Sequence, residues 1–250
     1  MSLYRLTKFE LKKLFKQKPA YTGFIVVIVV CILYFILNYV NRPVGSYRGL
    51  DFVMDTIYIQ NNALLILPFI AILLTVHTVC EEFSRGTVRT VVTKPVKREN
   101  LIIGKFLALL VYMCCISYGI MIISSLCGLR WGYADGYVVF LPRLVFIYFL
   151  YTLGTLVLAA FTLAVATLGT TPVVTAFVAL GFHRVVIILE SFVQLREYTF
   201  TYHVINSIQF LMARSINTRT LFESLVAILI YILALLLITS FLLEKRDITA

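Results

Sequence analysis

The sequence predicts an all-α membrane protein with six transmembrane helices, and three observations predict it. Of 250 residues, 61% are hydrophobic and 14% charged, with a mean hydropathy of +0.96; soluble globular chains are nearer about 50% and about 25%. The apolar residues gather in runs close to the roughly 20 that a helix needs to cross a bilayer core. The basic residues sit beside those runs, where they set orientation and meet anionic lipid. That distribution, with no nucleic-acid-reading motif, argues against reading the net charge of +10 as a nucleic-acid surface.

In chain order, residues 1–19 predict an amphipathic interfacial helix. Leu3, Tyr4, Thr7, Leu11, Leu14 and Phe15 share one face, and Arg5, Lys8, Lys12, Lys13 and Lys16 the other. This pattern lies flat on an anionic leaflet; a calmodulin-target helix would show it too. Leu6 and Phe9 fall off the stripe. Pro19 breaks the helix, and span one follows at 21–40. Asn41 to Asn62 reads as a polar loop with Pro43, Gly45 and Gly49. Span two is 63–80, kinked at Pro68, with His77 near one end. Span three is 101–129, and Arg130-Trp131-Gly132-Tyr133 reads as an interfacial anchor. Span four is 144–168, Gly169-Thr170-Thr171-Pro172 a tight turn, span five 173–190 and span six 225–243.

Six spans with the N-terminus inside place Arg5, Lys8, Lys12, Lys13, Lys16, Lys18, Arg85, Arg89, Lys94, Lys97, Arg98, Lys105, Lys245 and Arg246 in the cytoplasm. Arg42, Arg48, Arg130, Arg143, Arg196, Arg214 and Arg219 fall outside. Fourteen against seven predicts cytoplasmic N- and C-termini. Span five is irregular, because it contains His183 and Arg184 and ends at Glu190. A charge at depth should face protein or a water-filled cavity, which makes these three a candidate pathway or gate. The alternative is that Arg184 snorkels to the outer headgroups. His183, Glu190 and Glu197 are seven apart and would share one helical face. Residues 191–215 are too mixed to span and predict short outer helices, on the surface or re-entrant.

The longest charged interruption between two spans is Cys80 to Lys105. Residues 82–93 have helical spacing, with Phe83, Thr87, Val88, Val91 and Val92 on one face and Glu82, Arg85 and Arg89 opposite. Glu81 and Glu82 precede Arg85 in the order that supports a helix, and Pro95 ends it. Such a segment is either a solvated loop whose cations only fix topology or a docking helix for a soluble partner.

Glu81-Glu82-x-x-Arg85-Gly86-Thr87, then Thr93-Lys94-Pro95-Val96-x-Arg98 and Gly104-Lys105, resembles the signature of the ABC type-2 permease family. Phe241-x-x-x-Lys245-Arg246-Asp247-Ile248 resembles that family's C-terminus. The resemblance implies a bacterial cell-membrane exporter subunit. Residues 82–93 would be a cytoplasmic coupling helix, with Glu81, Glu82, Phe83, Arg85, Gly86, Thr87, Val88, Arg89, Val91, Pro95 and Arg98 meeting a separate ATPase. Two ATPase copies would bind ATP and Mg, and two permease chains, alike or similar, would complete the pathway. It also implies that 191–215 holds a re-entrant hairpin.

The sequence shows no phosphate-binding loop: Ile103-Gly104-Lys105-Phe106 lacks the upstream glycine and the hydroxyl. There is no His-Glu-x-x-His motif and no Gly-x-Ser-x-Gly elbow, so neither a metal site nor a catalytic residue is expected. The five cysteines lack disulfide or zinc spacing and read as small hydrophobes. Short outer loops and apolar spans favour an amphipathic substrate, a peptide toxin or antibiotic or a lipid-like molecule. A membrane-embedded immunity or sensor protein without transport is the alternative. An ion-driven carrier fits worse, since spans one, three, four and six hold almost no mid-membrane charge.

Overall fold

The computed structural model describes residues 3–43, 45, 47–63, 65–84, 98–133, 137–169, 171–212 and 218–245. Among them the chain is helical, with no strand: α1 (Leu3–Phe15), α2 (Lys18–Asn41), α3 (Gly49–Tyr58), α4 (Ile66–Ser84), α5 (Arg98–Gly128), α6 (Tyr137–Thr167), α7 (Pro172–Glu190), α8 (Phe200–Met212) and α9 (Thr218–Lys245). Short 3₁₀ turns at Leu129–Trp131 and Arg196–Tyr198, and a π turn at Ile59–Ala63, join some of them.

By length and composition α2, α5, α6, α7 and α9 can each cross a bilayer, and α3 with α4 passes as a pair bent by 47°. Helices satisfy their own backbone groups, which hydrocarbon requires. The helix α6 runs through the middle, packed by α4, α5, α7, α8 and α9. From Leu144 to Ala166 nearly every side chain on it is buried, as expected of a helix that is apolar all round. By contrast α2, α7 and α9 leave broad apolar faces outside, such as Ile25, Leu33, Phe177, Ile188, Ile230 and Leu237. Such faces suit contact with lipid tails.

Local sequence sets the ends. Pro19 sits in the first turn of α2, where its missing N–H is not needed. Gly169 takes a positive φ of +81° after α6, and the Val174 N–H donates to Thr171 Oγ1 at 3.4 Å to cap α7. The tight turn of the sequence reading is built from these residues. Between spans, buried hydroxyls tie helices together: Tyr112 donates to Ala20 O at 2.7 Å and Tyr148 to Val53 O at 2.9 Å. Thr152 donates to Ser117 Oγ at 2.8 Å.

Four expectations need correcting. The expected polar loop from Asn41 to Asn62 contains α3, whose Phe52, Val53 and Ile57 are buried; the turn residues stop at Gly49, and apolar residues at helical spacing begin. The bend in span two lies between the helices that end at Asn62 and begin at Ile66, not at Pro68, which stands in the tolerant first turn of α4. Trp131 is no lipid anchor. It is buried against Phe52 (ring centroids 5.2 Å) and Tyr47, and its indole N–H donates to Arg42 O at 3.0 Å. Finally, Leu6 is buried and Tyr4 exposed, so α1 presents Leu6, Glu10 and Leu14 to the bundle. A stripe drawn for a lipid surface missed a face that packs on α5.

Candidate functional site

Two places in the bundle concentrate polar chemistry. The first stands where α4 ends and α5 begins, at the root of the charged segment. Lys105 Nζ lies 3.1 Å from Glu10 Oε2, each side chain about 5% exposed, and also donates to Thr78 O at 3.3 Å. One cation thereby joins α1, α4 and α5. The residue before it, Gly104, leaves room for Leu6: a Cβ there would stand 3.0 Å from Leu6 Cγ and Cδ2. So Gly104-Lys105 has a local physical role: the glycine admits α1 and the lysine holds it. Lys105 is therefore not a solvated loop charge: it is buried, and Glu10 is one of the groups that face it. Glu10 escaped the sequence reading. Its signal is its spacing, four residues from both Leu6 and Leu14, as the lone acid ahead of Asp51.

Among the residues expected to meet a partner, Glu81, Glu82 and Phe83 have their backbone on the last turn of α4, which runs unbroken to Ser84, and Arg98 opens α5. Arg85, Gly86, Thr87, Val88, Arg89, Val91 and Pro95 lie outside the described residues, as does most of the 82–93 helix. Arg5, Lys8 and Lys12 are exposed along α1, and Lys16 just after it.

The second place is the break in span two. Gln60-Asn61-Asn62 occupies the π turn, with Gln60 and Asn61 buried, and Leu65 has φ +54°. A bulky residue at positive φ is a strained conformation that its surroundings must hold. Asn61 and Asn62 line a small cavity of about 20 Å³ with Tyr151, Thr155, His183 and Thr201, large enough for a single water. His183 is buried, and neither ring nitrogen has a hydrogen-bond partner among the described residues; nor do Asn62 Nδ2 and Thr201 Oγ1. Unpaired buried polar groups are costly and mark a functional or hydrated place.

On the other side of the break, α2, α4 and α7 enclose an open groove of about 680 Å³, which Leu65, His77 and Arg184 help to line. The structure thus brings His183 and Arg184 to opposite sides of one helix break. Glu190 is elsewhere: it accepts from Thr199 Oγ1 at 3.3 Å and pins the turn after α7. Glu197 does not share its helical face, because α7 ends at Glu190 and Glu197 belongs to the 3₁₀ turn. Residues 200–212 form one 13-residue helix, α8, whose Phe200, Val204 and Ile208 are buried.

At the other end of α5 from Lys105, one turn before the break, Tyr47 and Tyr34 hydrogen-bond Asp55. Burial and then the Asp55 carboxylate hold the Tyr47 phenol well above its usual range. This cluster reads as structural. Among the described residues, no three His, Cys, Asp or Glu side chains are grouped to hold a metal.

A bundle of lipid-facing helices, with a strained polar break beside a lateral groove, defines a multi-pass membrane protein. The family model described as ABC-2 family transporter protein matches residues 6–190, so the chain belongs to that family and is a membrane transport subunit. No curated protein matches it.

Proposed function

We propose that this chain is the transmembrane permease subunit of an ATP-driven exporter, moving an amphipathic substrate out of the cell. The substrate would be a peptide toxin or antibiotic, or a lipid-like molecule. The observation that carries the reading is the family match, which runs through the charged segment between α4 and α5. The fold adds a mechanical reason. A partner pushing on residues 82–93 would act on two helices that the Glu10–Lys105–Thr78 contact clamps to α1, so the load reaches the spans as one body.

In this reading α3 and α4 count as one broken span, giving six, with both termini and residues 82–93 in the cytoplasm. Residues 191–215, including α8, lie toward the outside. Two ATPase copies hold ATP and Mg, and a second permease chain, identical or similar, completes the pathway. The break at residues 59–65 is the gate, since a strained, incompletely bonded segment is where two conformations lie closest in free energy. The purified chain alone should bind no ATP and should co-purify with a soluble ATPase. Tight ATP binding by the isolated chain would overturn the proposal.

A further inference from the structure

The groove beside the break has a chemistry of its own. Its walls are apolar, with Val26 on α2, Phe69, Ile70 and Leu73 on α4, and Leu180 on α7. Its cations are Lys18 and Arg184, both exposed and without an ion-pair partner among the described residues. His77 lines it as well, and no carboxylate does. The wall from Ile66 to His77 rises about 16 Å at the helical 1.5 Å per residue, close to half of a roughly 30 Å bilayer core. Lys18 opens α2, at the membrane edge. Arg184 stands about 18 Å along α7 from Pro172, a depth at which an unpaired guanidinium facing lipid tails is unfavourable.

A slot one leaflet deep, open to the side, oily along its walls and carrying only positive charge fits one class of occupant. We propose that it binds a bilayer lipid with an acidic headgroup. Lys18 receives the headgroup phosphate at the mouth, the Arg184 guanidinium reaches toward the same phosphate from within the slot, and the acyl chain lies over Phe69, Ile70 and Leu73. Zwitterionic lipid has the same tails and phosphate, but its headgroup also carries a cation that Lys18 and Arg184 repel. A second copy of this chain would have to bring carboxylates to the groove, and α2, α7 and α9 expose few. The inference rests on the membrane placement of α2, α4 and α7, and not on export.

The test uses the full chain in vesicles, with no ATPase and no ATP. Phosphatidylglycerol or phosphatidylcholine carrying a photoactivatable acyl chain is mixed into the bilayer, and labelled peptides are mapped. The 66–73 stretch should label several-fold more with phosphatidylglycerol. Each of Lys18→Gln and Arg184→Gln should reduce that labelling about fivefold, and the pair about thirtyfold, the usual effect of one basic contact with anionic lipid. Lys18→Arg and Arg184→Lys, which keep the charge, should preserve it and show that the fold tolerates change there. Equal labelling by the two lipids, wild-type labelling in the double Gln variant, or crosslinks from 66–73 to a second copy would each overturn the proposal. Loss of ATPase binding would leave the labelling untouched, so failure of this inference and failure of the exporter reading are separable.

Discussion

Removing the Glu10 carboxylate should release α1 from the bundle. At 3.1 Å and an effective dielectric constant near 20, the attraction to Lys105 is about 5 kcal/mol before desolvation is subtracted. Breaking a buried pair by deleting one partner costs up to about 3–5 kcal/mol, because the remaining charge loses a counter-charge. Lys105 keeps its bond to Thr78 O, so the lower end applies to Glu10→Ala. About 3 kcal/mol corresponds to a rise of roughly 100-fold in the population with α1 undocked. Leu6 is buried against Gly104, so a Leu6→Cys variant reports that population directly. Its alkylation in intact membranes should speed up about 100-fold when Glu10→Ala is added, the expected response when labelling follows local opening. Replacing both Glu10 and Lys105 by Met should restore most of the protection, since an apolar pair of similar volume removes the desolvation cost. Equal labelling rates with and without Glu10 would refute the clamp.

Two further outcomes follow from close contacts and orphan groups. Gly49→Ala should lower stability by about 1–3 kcal/mol, because its Cβ would lie 2.5 Å from Gly128 O. Gly119→Ala, with nothing within 4 Å, should be neutral or slightly stabilising; melting in detergent compares them. His183→Leu should leave melting unchanged or raise it, since it removes a buried group with unpaired nitrogens. It should also reduce substrate-stimulated ATPase turnover in the reconstituted complex at least tenfold. A large loss of stability with normal turnover would make His183 a packing residue.

Much of this architecture was legible in the sequence, for identifiable reasons. Long apolar runs between prolines and charges have one outcome in a bilayer, so 21–40 became α2 and 173–190 became α7 with their ends displaced by at most three residues. Short helices were harder. In α3, Asp51 and Asp55 hide an apolar face, and the neighbouring Pro43 and Gly45 read as loop. The reading of α1 failed differently: an amphipathic stripe says that a face is buried, not what buries it, and Leu6-Glu10-Leu14 becomes visible once α5 is adjacent. His183 and Arg184 stood out as charge or near-charge in oil. The break beside them, Gln60-Asn61-Asn62, looked like an ordinary polar loop end, because a π turn buried between helices leaves no local signature. Glu190 looked like part of the same site and serves the following turn.

The central claim is that force from an ATPase enters through residues 82–93. The most direct measurement reconstitutes the chain with its ATPase in proteoliposomes and compares wild type with Val88→Asp for ATPase binding and substrate-stimulated turnover. If Phe83, Val88 and Val91 fill a cleft on the partner, a buried charge there should weaken binding about thirtyfold or more. Stimulated turnover should fall with it, while the permease still inserts and folds. Wild-type binding and turnover in Val88→Asp would contradict the account and leave the segment a topological anchor.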